Sequence, residues 1–478
     1  MGEFRQDAGQ EDPASVREPS RLRFRSATEG VHAVRRLTRR DSIKLGAGLV
    51  AGAALLGNDR AFAQQFATSD VAPPDLPIED GASLRVLRPS KFVDGDERVF
   101  LENTEKFTEA TGVDVRVDIA GWEDLRPQVA TAASVGAGPD IVLAWSDDPH
   151  KFVDKVLDLT EVATYLGEKY GGWWPLVERY GTKDGRWIAM PIGGSGGRCV
   201  YRKSWVNEAG YEAVPEDLDG FLDLCRKLQA NGHPPGLALG NAVGDGNAWC
   251  TWVVWAHGGS LLDEEDNVVI NSSETVEALK YAKALYETFI PGTLSWLDPS
   301  NNKAFLAGEV GLTQNGISIY YAAKNSEDPA VKALAEDIYH ARMPIGPVGF
   351  PTERALIVNS MVFGYTPYPN AAKEYLRFMM EEEQYAPYLE ACIGYWNHPL
   401  QTYDSHPIWT ADPKHEPFKH VLKDALWDSY KGSITEASSA VLADFVVVQM
   451  VAAVASGELT PEEAAAEAER RTQRYYKT

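Results

Sequence analysis

The segment "WSDDP" (145–149) places one tryptophan and two carboxylates in a turn directly after the apolar run "DIVLA". Trp145 offers a flat apolar ring face, and the carboxylates of Asp147 and Asp148 accept hydrogen bonds, so the turn could bind a small polar molecule. Catalytic carboxyl pairs face each other across a gap of about 5 to 10 Å. Adjacent loop side chains diverge, which argues against acid–base catalysis by this pair. A turn or helix cap before Pro149 is the alternative interpretation of both acids.

Strand and helix patterns alternate on both sides of this turn. Strand patterns cover residues 84–89, 113–119 and 140–145, and helix patterns cover residues 98–112 and 122–138. This order predicts βαβ units and a parallel sheet, in which ligands bind beyond the carboxyl ends of the strands. A second series begins at residue 199 and includes "GLALGN" (236–241), so we expect two α/β lobes in tandem.

Residues 456–476 carry the clearest helix pattern in the sequence. Thr460 is the expected N-cap, and Pro461 stands in the first turn. Glu463 completes a capping box with Thr460, so we expect the helix to begin directly after Thr460.

Arg39 and Arg40 precede an apolar run (45–56) and a small-residue site, "AFA", in the order of an export signal. The run is too short to cross a bilayer, which takes about 20 apolar residues. The motif resembles the twin-arginine signal, although Ser42 stands where phenylalanine is usual. That resemblance implies that residues 1–63 are removed and that the twin-arginine translocase exports the folded chain to the periplasm. An apolar core helix after a basic loop is the alternative.

The composition limits the possible partners. The whole chain carries a net charge of −23, and residues 1–63 hold 11 basic and 8 acidic side chains, so the mature protein carries −26. An acidic surface repels phosphate backbones, which argues against nucleic acid as a partner. We expect no further membrane-spanning run, and no lipid anchor because no cysteine stands at the cleavage site, so the mature protein should be soluble. We also expect a monomer.

The histidines and cysteines lack the spacing of a metal site, and we expect neither a metal nor a cofactor. The four cysteines allow three disulfide pairings that the sequence does not rank: Cys199, Cys225, Cys250 and Cys392. Because a chain that folds before export folds in a reducing compartment, buried free thiols are the favoured state.

The segment "MPIGGSGGRCVYRKSWVNEAGY" (190–211) resembles the signature of the extracellular solute-binding proteins that supply sugars to ATP-binding-cassette importers. The matching positions are Pro191, Val200, Tyr201, Val206, Glu208 and Gly210, whereas Arg198, Cys199 and Arg202 depart from the usual residues. Further segments similar to that family follow in order at 111–117, 136–145, 184–191, 257–287, 305–316, 370–379 and 394–399. The resemblance covers nearly the whole mature chain.

The resemblance implies a two-lobe, type II-like periplasmic-binding fold with the ligand cleft between the lobes. Lobe 1 is expected at 64–193 and 359–398, and lobe 2 at 194–358 and 399–478. The chain should cross between the lobes near 193–198, near Asn359 and near 394–399. Closure then needs rotation at a few residues, and the glycines of the first crossing would supply backbone freedom. A plain flexible loop is the alternative for those glycines.

The same resemblance implies a binding protein, not an enzyme, that captures a carbohydrate and delivers it to the membrane permease of the importer. Aromatic rings suit the C–H faces of a sugar, and planar polar groups suit its hydroxyls. The candidate ligand-binding residues are Trp122, Trp145, Asp147, Asp148, Ser195, Arg198, Asn247, Trp249, Asn315, Tyr320, Asn359, Ser360, Tyr395 and Trp396. A core or turn position is the alternative for each. A polyamine or other cationic solute is the second ligand class, and a secreted glycoside hydrolase is the third possibility.

Overall fold

The computed structural model describes residues 66–476, so the predicted signal peptide lies outside the described residues. The strands of this range are β1 (Ser83–Pro89), β2 (Asp114–Ala120), β3 (Ile141–Trp145), β4 (Thr182–Lys183), β5 (Arg186–Trp187), β6 (Met190–Gly196), β7 (Arg198–Arg202), β8 (Leu312–Asn315), β9 (Ile338–Ala341) and β10 (Ala355–Val362). The α-helices are α1 (Asp94–Thr111), α2 (Trp122–Val135), α3 (Thr160–Lys169), α4 (Pro175–Gly181), α5 (Lys203–Glu208), α6 (Leu218–Ala230), α7 (Asp245–Ala256), α8 (Ser273–Tyr286), α9 (Asp298–Leu306), α10 (Ser318–Lys324), α11 (Pro329–Asp337), α12 (Pro369–Met380), α13 (Glu382–Ala391), α14 (Ile408–Ala411), α15 (Val421–Asp424), α16 (Glu436–Ala443), α17 (Val446–Ser456) and α18 (Pro461–Tyr476).

The first sheet has the strand order β2-β1-β3-β10-β6. Strands β1, β2 and β3 are parallel, and β10 runs antiparallel to both β3 and β6. Helix α1 buries Val99, Phe100 and Phe107 on one face and ends at Gly112, whose φ of 79° favours glycine. The predicted βαβ order of this part of the chain is therefore confirmed.

The second sheet, β8-β7-β9, is antiparallel on both sides of β7, so the expectation of a second parallel series is wrong. The partners of β7 come from distant parts of the chain, and no helical crossover returns the chain in the same direction. The apolar segment 236–241 forms no strand, and next to it Pro235 makes only an isolated bridge to Leu312. Helices α6, α7, α8, α17 and α18 contribute a separate core beside this sheet.

Strand β6 of the first sheet leads directly into β7 of the second sheet. Only Gly197 separates β6 from β7, and Asn397 pairs with Gly194 through backbone hydrogen bonds of 2.6 and 3.1 Å, so the first and third predicted crossings lie side by side. Asn359 lies within β10, so the second crossing precedes it. A β-carbon on Gly194 would approach Leu422 to 2.6 Å, and one on Gly196 would approach Val421 to 2.3 Å. The absence of side chains on these glycines therefore permits close packing against Leu422 and Val421. The boundaries of the two lobes stay a prediction.

A buried ion pair joins β1 to α1. The guanidinium of Arg88 lies 2.6 Å from the Asp96 carboxylate, and their side chains are 1% and 0% exposed. The Tyr388 hydroxyl, on α13, donates to the same carboxylate at 2.7 Å, and Phe100 lies under the guanidinium. The pair therefore fixes three elements of the first core.

Residues Glu436–Ser456 are long and apolar enough, by length and composition, to cross a membrane. The sequence-based expectation of no such run therefore needs correction. The fold divides this stretch into α16 and α17 at Asp444 and Phe445, and Phe445 has a φ of 53°. Helix α17 packs against α7, α8 and α18 and buries Val448 and Val451 in the second core.

The four cysteines are buried and unpaired, in agreement with the favoured interpretation. Burial raises the pKa of each thiol, because an apolar environment disfavours the thiolate.

Candidate functional site

A pocket lined by residues of both sheets lies at their junction. The segments after β1 and β2, together with β6, β10 and the third crossing, contribute one wall. The N-termini of α7 and α9 and the end of β8 contribute the other. The lining residues are Phe92, Trp122, Ser195, Gly197, Gly244, Asp245, Ala248, Asp298, Asn315, Gly316, Arg354, Leu356 and Tyr395.

Five aromatic rings form a cluster on the first wall, which we call the ring cluster: Phe92, Trp122, Trp145, Tyr395 and Trp396. Trp122 lies at its centre, with ring centroids 4.7 Å from Phe92, 4.4 Å from Trp145 and 6.2 Å from Trp396. The indole N–H of Trp122 donates to the Ser90 carbonyl at 2.8 Å, which fixes the ring. The cluster thus presents a rigid apolar surface to the pocket.

Two carboxylates lie on the opposite wall. Asp298 accepts hydrogen bonds from the backbone N–H groups of Gly244 (3.1 Å) and Asp245 (2.7 Å) and so stabilises the N-terminus of α7. Asp245 is half-buried and accepts a hydrogen bond from the Asn301 amide at 2.7 Å. Burial, and then the Asp298 carboxylate, raise the pKa of Asp245 well above its usual range. A protonated carboxyl both donates and accepts hydrogen bonds, so Asp245 can do either with a ligand.

Arg354 is the cation of the pocket wall. It is 2% exposed and forms a buried ion pair with Asp428, in which one N–H···O distance is 3.2 Å. The Tyr180 hydroxyl donates to the same carboxylate at 2.9 Å. The Nη1 atom of Arg354 has no hydrogen-bond partner among the described residues, so it is free to donate to a bound molecule.

The pocket brings together four of the predicted site residues: Trp122, Ser195, Asn315 and Tyr395. Trp145 and Trp396 lie behind Trp122 in the ring cluster and are 0% and 2% exposed. They support the pocket wall without lining the pocket.

Two predicted residues are core residues in the structure. Trp249 is fully buried in the second core, donates its indole N–H to the Ala238 carbonyl at 2.6 Å and packs edge-on against Phe289. Asn247, one turn before Thr251, is 2% exposed and donates to the Val243 carbonyl. Every residue of α7 from Gly246 to Ala256 is buried; Ala248 lines the pocket, whereas the ring of Trp249 packs into the second core.

Four predicted residues have their polar groups engaged elsewhere, by the following contacts. Arg198 pairs with Glu353 at 2.7 Å, Tyr320 donates to Asp412, Asn359 donates to the Ser146 carbonyl, and Asp148 pairs with Arg126 at 2.9 Å. Ser360 is buried within β10, and its hydroxyl has no partner among the described residues. None of these five lines the pocket, although Asp148 lines the groove described next.

A larger groove adjoins the pocket, and we call it the outer groove. Trp122 lines both spaces. The other lining residues are Glu123, Arg126, Pro127, Val129, Ala130, Asp148, Lys151, Phe152, Asn241, Val243, Leu297, Ala443 and Phe445. The outer groove therefore extends from the ring cluster between α2 and the α16–α17 junction.

Asp147 is fully buried, and neither carboxylate oxygen has a hydrogen-bond partner among the described residues. Burial, and then the nearby carboxylates of Asp428 and Asp148, raise its pKa to about 7. The folded protein therefore favours the neutral acid, so the free energy of unfolding should fall as the pH rises from about 4 to about 7.

Replacing Asp147 with asparagine should remove this part of the pH dependence. We expect Asp147→Asn to match the wild type near pH 4 and to be more stable at pH 8, by on the order of 1 to 3 kcal/mol. Urea unfolding at both pH values measures the difference. Asp184→Asn, at an exposed turn, is the control and should give equal differences at both pH values. A wild-type advantage at pH 8 would contradict the raised pKa.

No group of three or more His, Cys, Asp or Glu side chains within residues 66–476 is placed to hold a metal ion.

A family model described as bacterial extracellular solute-binding protein matches residues 103–417. The chain belongs to this family. Its pocket lies where the two sheets of this solute-binding chain meet, as expected from the resemblance in sequence.

One curated relative is a probable ABC transporter-binding protein of Deinococcus radiodurans, 24% identical over 213 residues, or 43% of this chain. The chain spans about half (50%) the length of that relative. Among solved structures, maltose-bound MalE3 of T. maritima is 20% identical, with a TM-score of 0.72, and the match covers 82% of this chain and 99% of that one. A sugar transporter protein of Arthrobacter chlorophenolicus with laminaribiose has a TM-score of 0.71 at 18% identity, with 82% and 99% covered. These likenesses confirm the predicted two-lobe α/β fold.

Sequence reasoning missed several pocket residues of this solute-binding chain. Phe92 follows β1, and its position beyond the carboxyl end of a parallel strand was a usable signal. Asp245 and Asp298 each begin a helix, but the sequence carries no sign that they meet. They meet because Asp298 accepts a hydrogen bond from the backbone N–H of Asp245, 53 residues earlier in the chain.

Proposed function

We propose that this chain binds a carbohydrate in the pocket and serves as the substrate-binding subunit of an ATP-binding-cassette importer. The observation that carries the proposal is the meeting of Phe92, Trp122 and Tyr395 with hydrogen-bonding groups across one pocket. Rings cover the C–H faces of a sugar, while Asp245 and Ser195 bond its hydroxyls. The similar structures hold maltose and laminaribiose, which supports this ligand class.

In this proposal the two lobes close on the sugar and deliver it, as a monomeric binding protein, to the membrane permease. Closure requires that the ligand contact the closed form more favourably than the open form, and the pocket has groups on both walls to do so. The protein acts by binding and not by hydrolysis. Incubation with candidate oligosaccharides should therefore give no product.

A thermal-shift screen of sugars, polyols, acidic sugars and polyamines tests the proposal. A true ligand raises the unfolding midpoint by mass action, and at a concentration of about 100 times its Kd it adds roughly 2.7 kcal/mol. We expect the largest shift from a carbohydrate. A screen in which no sugar or polyol shifts the midpoint would contradict carbohydrate binding.

A cationic solute is the second candidate, and Asp245 favours it. This half-buried carboxylate lies beside Asp298 and opposite three aromatic rings, an arrangement that also suits an ammonium group. For a cation, Asp245→Asn should abolish binding and added salt should weaken it steeply. For a neutral sugar, binding should change little with salt.

We further propose export to the periplasm by the twin-arginine translocase, with removal of residues 1–63 and no lipid anchor. The basis is Arg39 and Arg40 before the short apolar run. Replacing both arginines with lysine should keep the protein in the cytoplasm, as measured by cell fractionation. Periplasmic accumulation equal to the wild type would contradict this route.

A further inference from the structure

The outer groove differs chemically from the pocket that it adjoins. The pocket is lined by carboxylate, amide, hydroxyl and guanidinium groups, whereas most of the outer groove is apolar. Its apolar lining includes Val129, Phe152, Val243, Leu297 and Phe445. A sugar unit, whose hydroxyls all need partners, would find few of them there.

One residue of the outer groove is partly exposed, and another has an unusual backbone conformation. Leu297 is 38% exposed, so its side chain is available to an apolar group. Phe445 adopts a φ of 53°, in the left-handed region that bulky side chains rarely occupy. Such strain is retained where the surrounding structure enforces it, and ligand clamps are a common place for it.

Arg126 and Asp148 pair within the outer groove, although the Nη1 atom of Arg126 has no hydrogen-bond partner among the described residues. The Nε of Arg126 donates to both oxygens of Asp148, at 2.9 and 3.0 Å, and Lys151 lies 4.0 Å from the same carboxylate. Glu123 and Asn241 complete the polar part of the lining. An apolar group in the groove would leave the Arg126–Asp148 pair intact.

Trp122 links the two spaces, since its ring cluster lines the pocket and its side chain also lines the outer groove. We propose that the outer groove binds an aromatic aglycone attached to the sugar that occupies the pocket. This inference rests on the proposed carbohydrate binding. The solute is then an aryl glycoside, with its sugar ring among the polar groups and its aromatic ring against Leu297 and Phe445.

Calorimetry with matched methyl and phenyl glycosides tests this inference. Both are built, as α and β anomers, on the sugar that gives the largest shift in the thermal screen. We expect a phenyl glycoside to bind at least tenfold more tightly than its methyl counterpart, because the phenyl group buries several more carbons and each is worth roughly a factor of four in affinity.

Leu297→Ser removes an apolar side chain from the groove and keeps the fold, since serine is a preferred N-cap and Leu297 precedes α9. It should weaken phenyl glycoside binding at least fivefold and leave the methyl glycoside unchanged. Leu294→Ser is the matched control, because Leu294 is 37% exposed and lies outside the groove lining.

The possible outcomes separate the two proposals. Equal affinity for methyl and phenyl glycosides overturns the aglycone site while carbohydrate binding stands. A trisaccharide of the same sugar that binds more tightly than the phenyl glycoside, and is weakened by Leu297→Ser, also overturns it, because sugar units then fill the groove. If no sugar or glycoside binds, carbohydrate binding itself fails.

Discussion

Replacing Trp122 with alanine is expected to weaken sugar binding at least thirtyfold. Trp122 lines the pocket and contacts Phe92, Trp145 and Trp396, so the change removes a stacking surface and loosens its support. Truncation of such a buried aromatic at a binding hot spot costs about 2 kcal/mol or more, and about 1.4 kcal/mol corresponds to a factor of ten. Isothermal calorimetry with the sugar found by the thermal screen measures the change.

A milder variant separates binding from folding. Trp122→Phe keeps an aromatic face and should lose less affinity than Trp122→Ala while remaining folded. Trp249→Phe is the matched control, because Trp249 lies in the second core; it should lower stability and leave affinity unchanged. If Trp122→Ala binds like the wild type while Trp249→Phe loses affinity, the pocket has been placed on the wrong residues.

The Asp96→Ala variant should lower the free energy of unfolding by about 3 to 5 kcal/mol. The substitution leaves the guanidinium of Arg88 buried without its carboxylate partner, and an unpaired buried charge is strongly destabilising. Urea unfolding followed by circular dichroism measures the loss. Glu102→Ala, on the same helix, removes an exposed partner of Arg98 and should cost only about 0.3 to 0.5 kcal/mol.

The double variant Arg88→Met, Asp96→Ala tests the cause of that loss. Removing both charges should restore much of the stability, because apolar residues can replace a buried ion pair at little cost. A double variant as unstable as Asp96→Ala would show that lost packing, and not the unpaired charge, accounts for the effect.

Local signals predicted the elements that depend on neighbouring residues. Strand β3 is buried along its whole length and was visible as a continuous apolar run. The capping box at the start of α18 is present. The Glu463 carboxylate accepts a hydrogen bond from the Thr460 backbone N–H at 2.9 Å, and the Glu463 backbone N–H donates to the Thr460 hydroxyl at 3.2 Å. The second sheet could not be predicted in this way, because β7 finds its partners in β8 and β9, far along the chain.

The candidate site also combines residues that local sequence signals predict with residues whose positions depend on distant segments. Trp122 begins α2 shortly after β2, Tyr395 follows α13, and the pocket includes both. Trp249 lies on a helix whose residues from Gly246 onward are all buried, so no polar face distinguishes a core position from a ligand position. Asp147 looked like a hydroxyl acceptor in sequence, but β10 and the segment around Asp428 cover it. Single-sequence patterns do not report which distant segment covers a turn.

The stretch Glu436–Ser456 has a consequence for the order in which the protein folds and travels. A secretion channel that threads an unfolded chain would present these 21 residues to the lipid as a stop-transfer segment, and the chain could become anchored there. In the folded protein the stretch is bent at Phe445, 44% of its apolar window is buried, and α17 packs against α7, α8 and α18. Folding therefore breaks the stretch into two shorter helices, so the folded protein does not offer the single continuous helix that a membrane span needs.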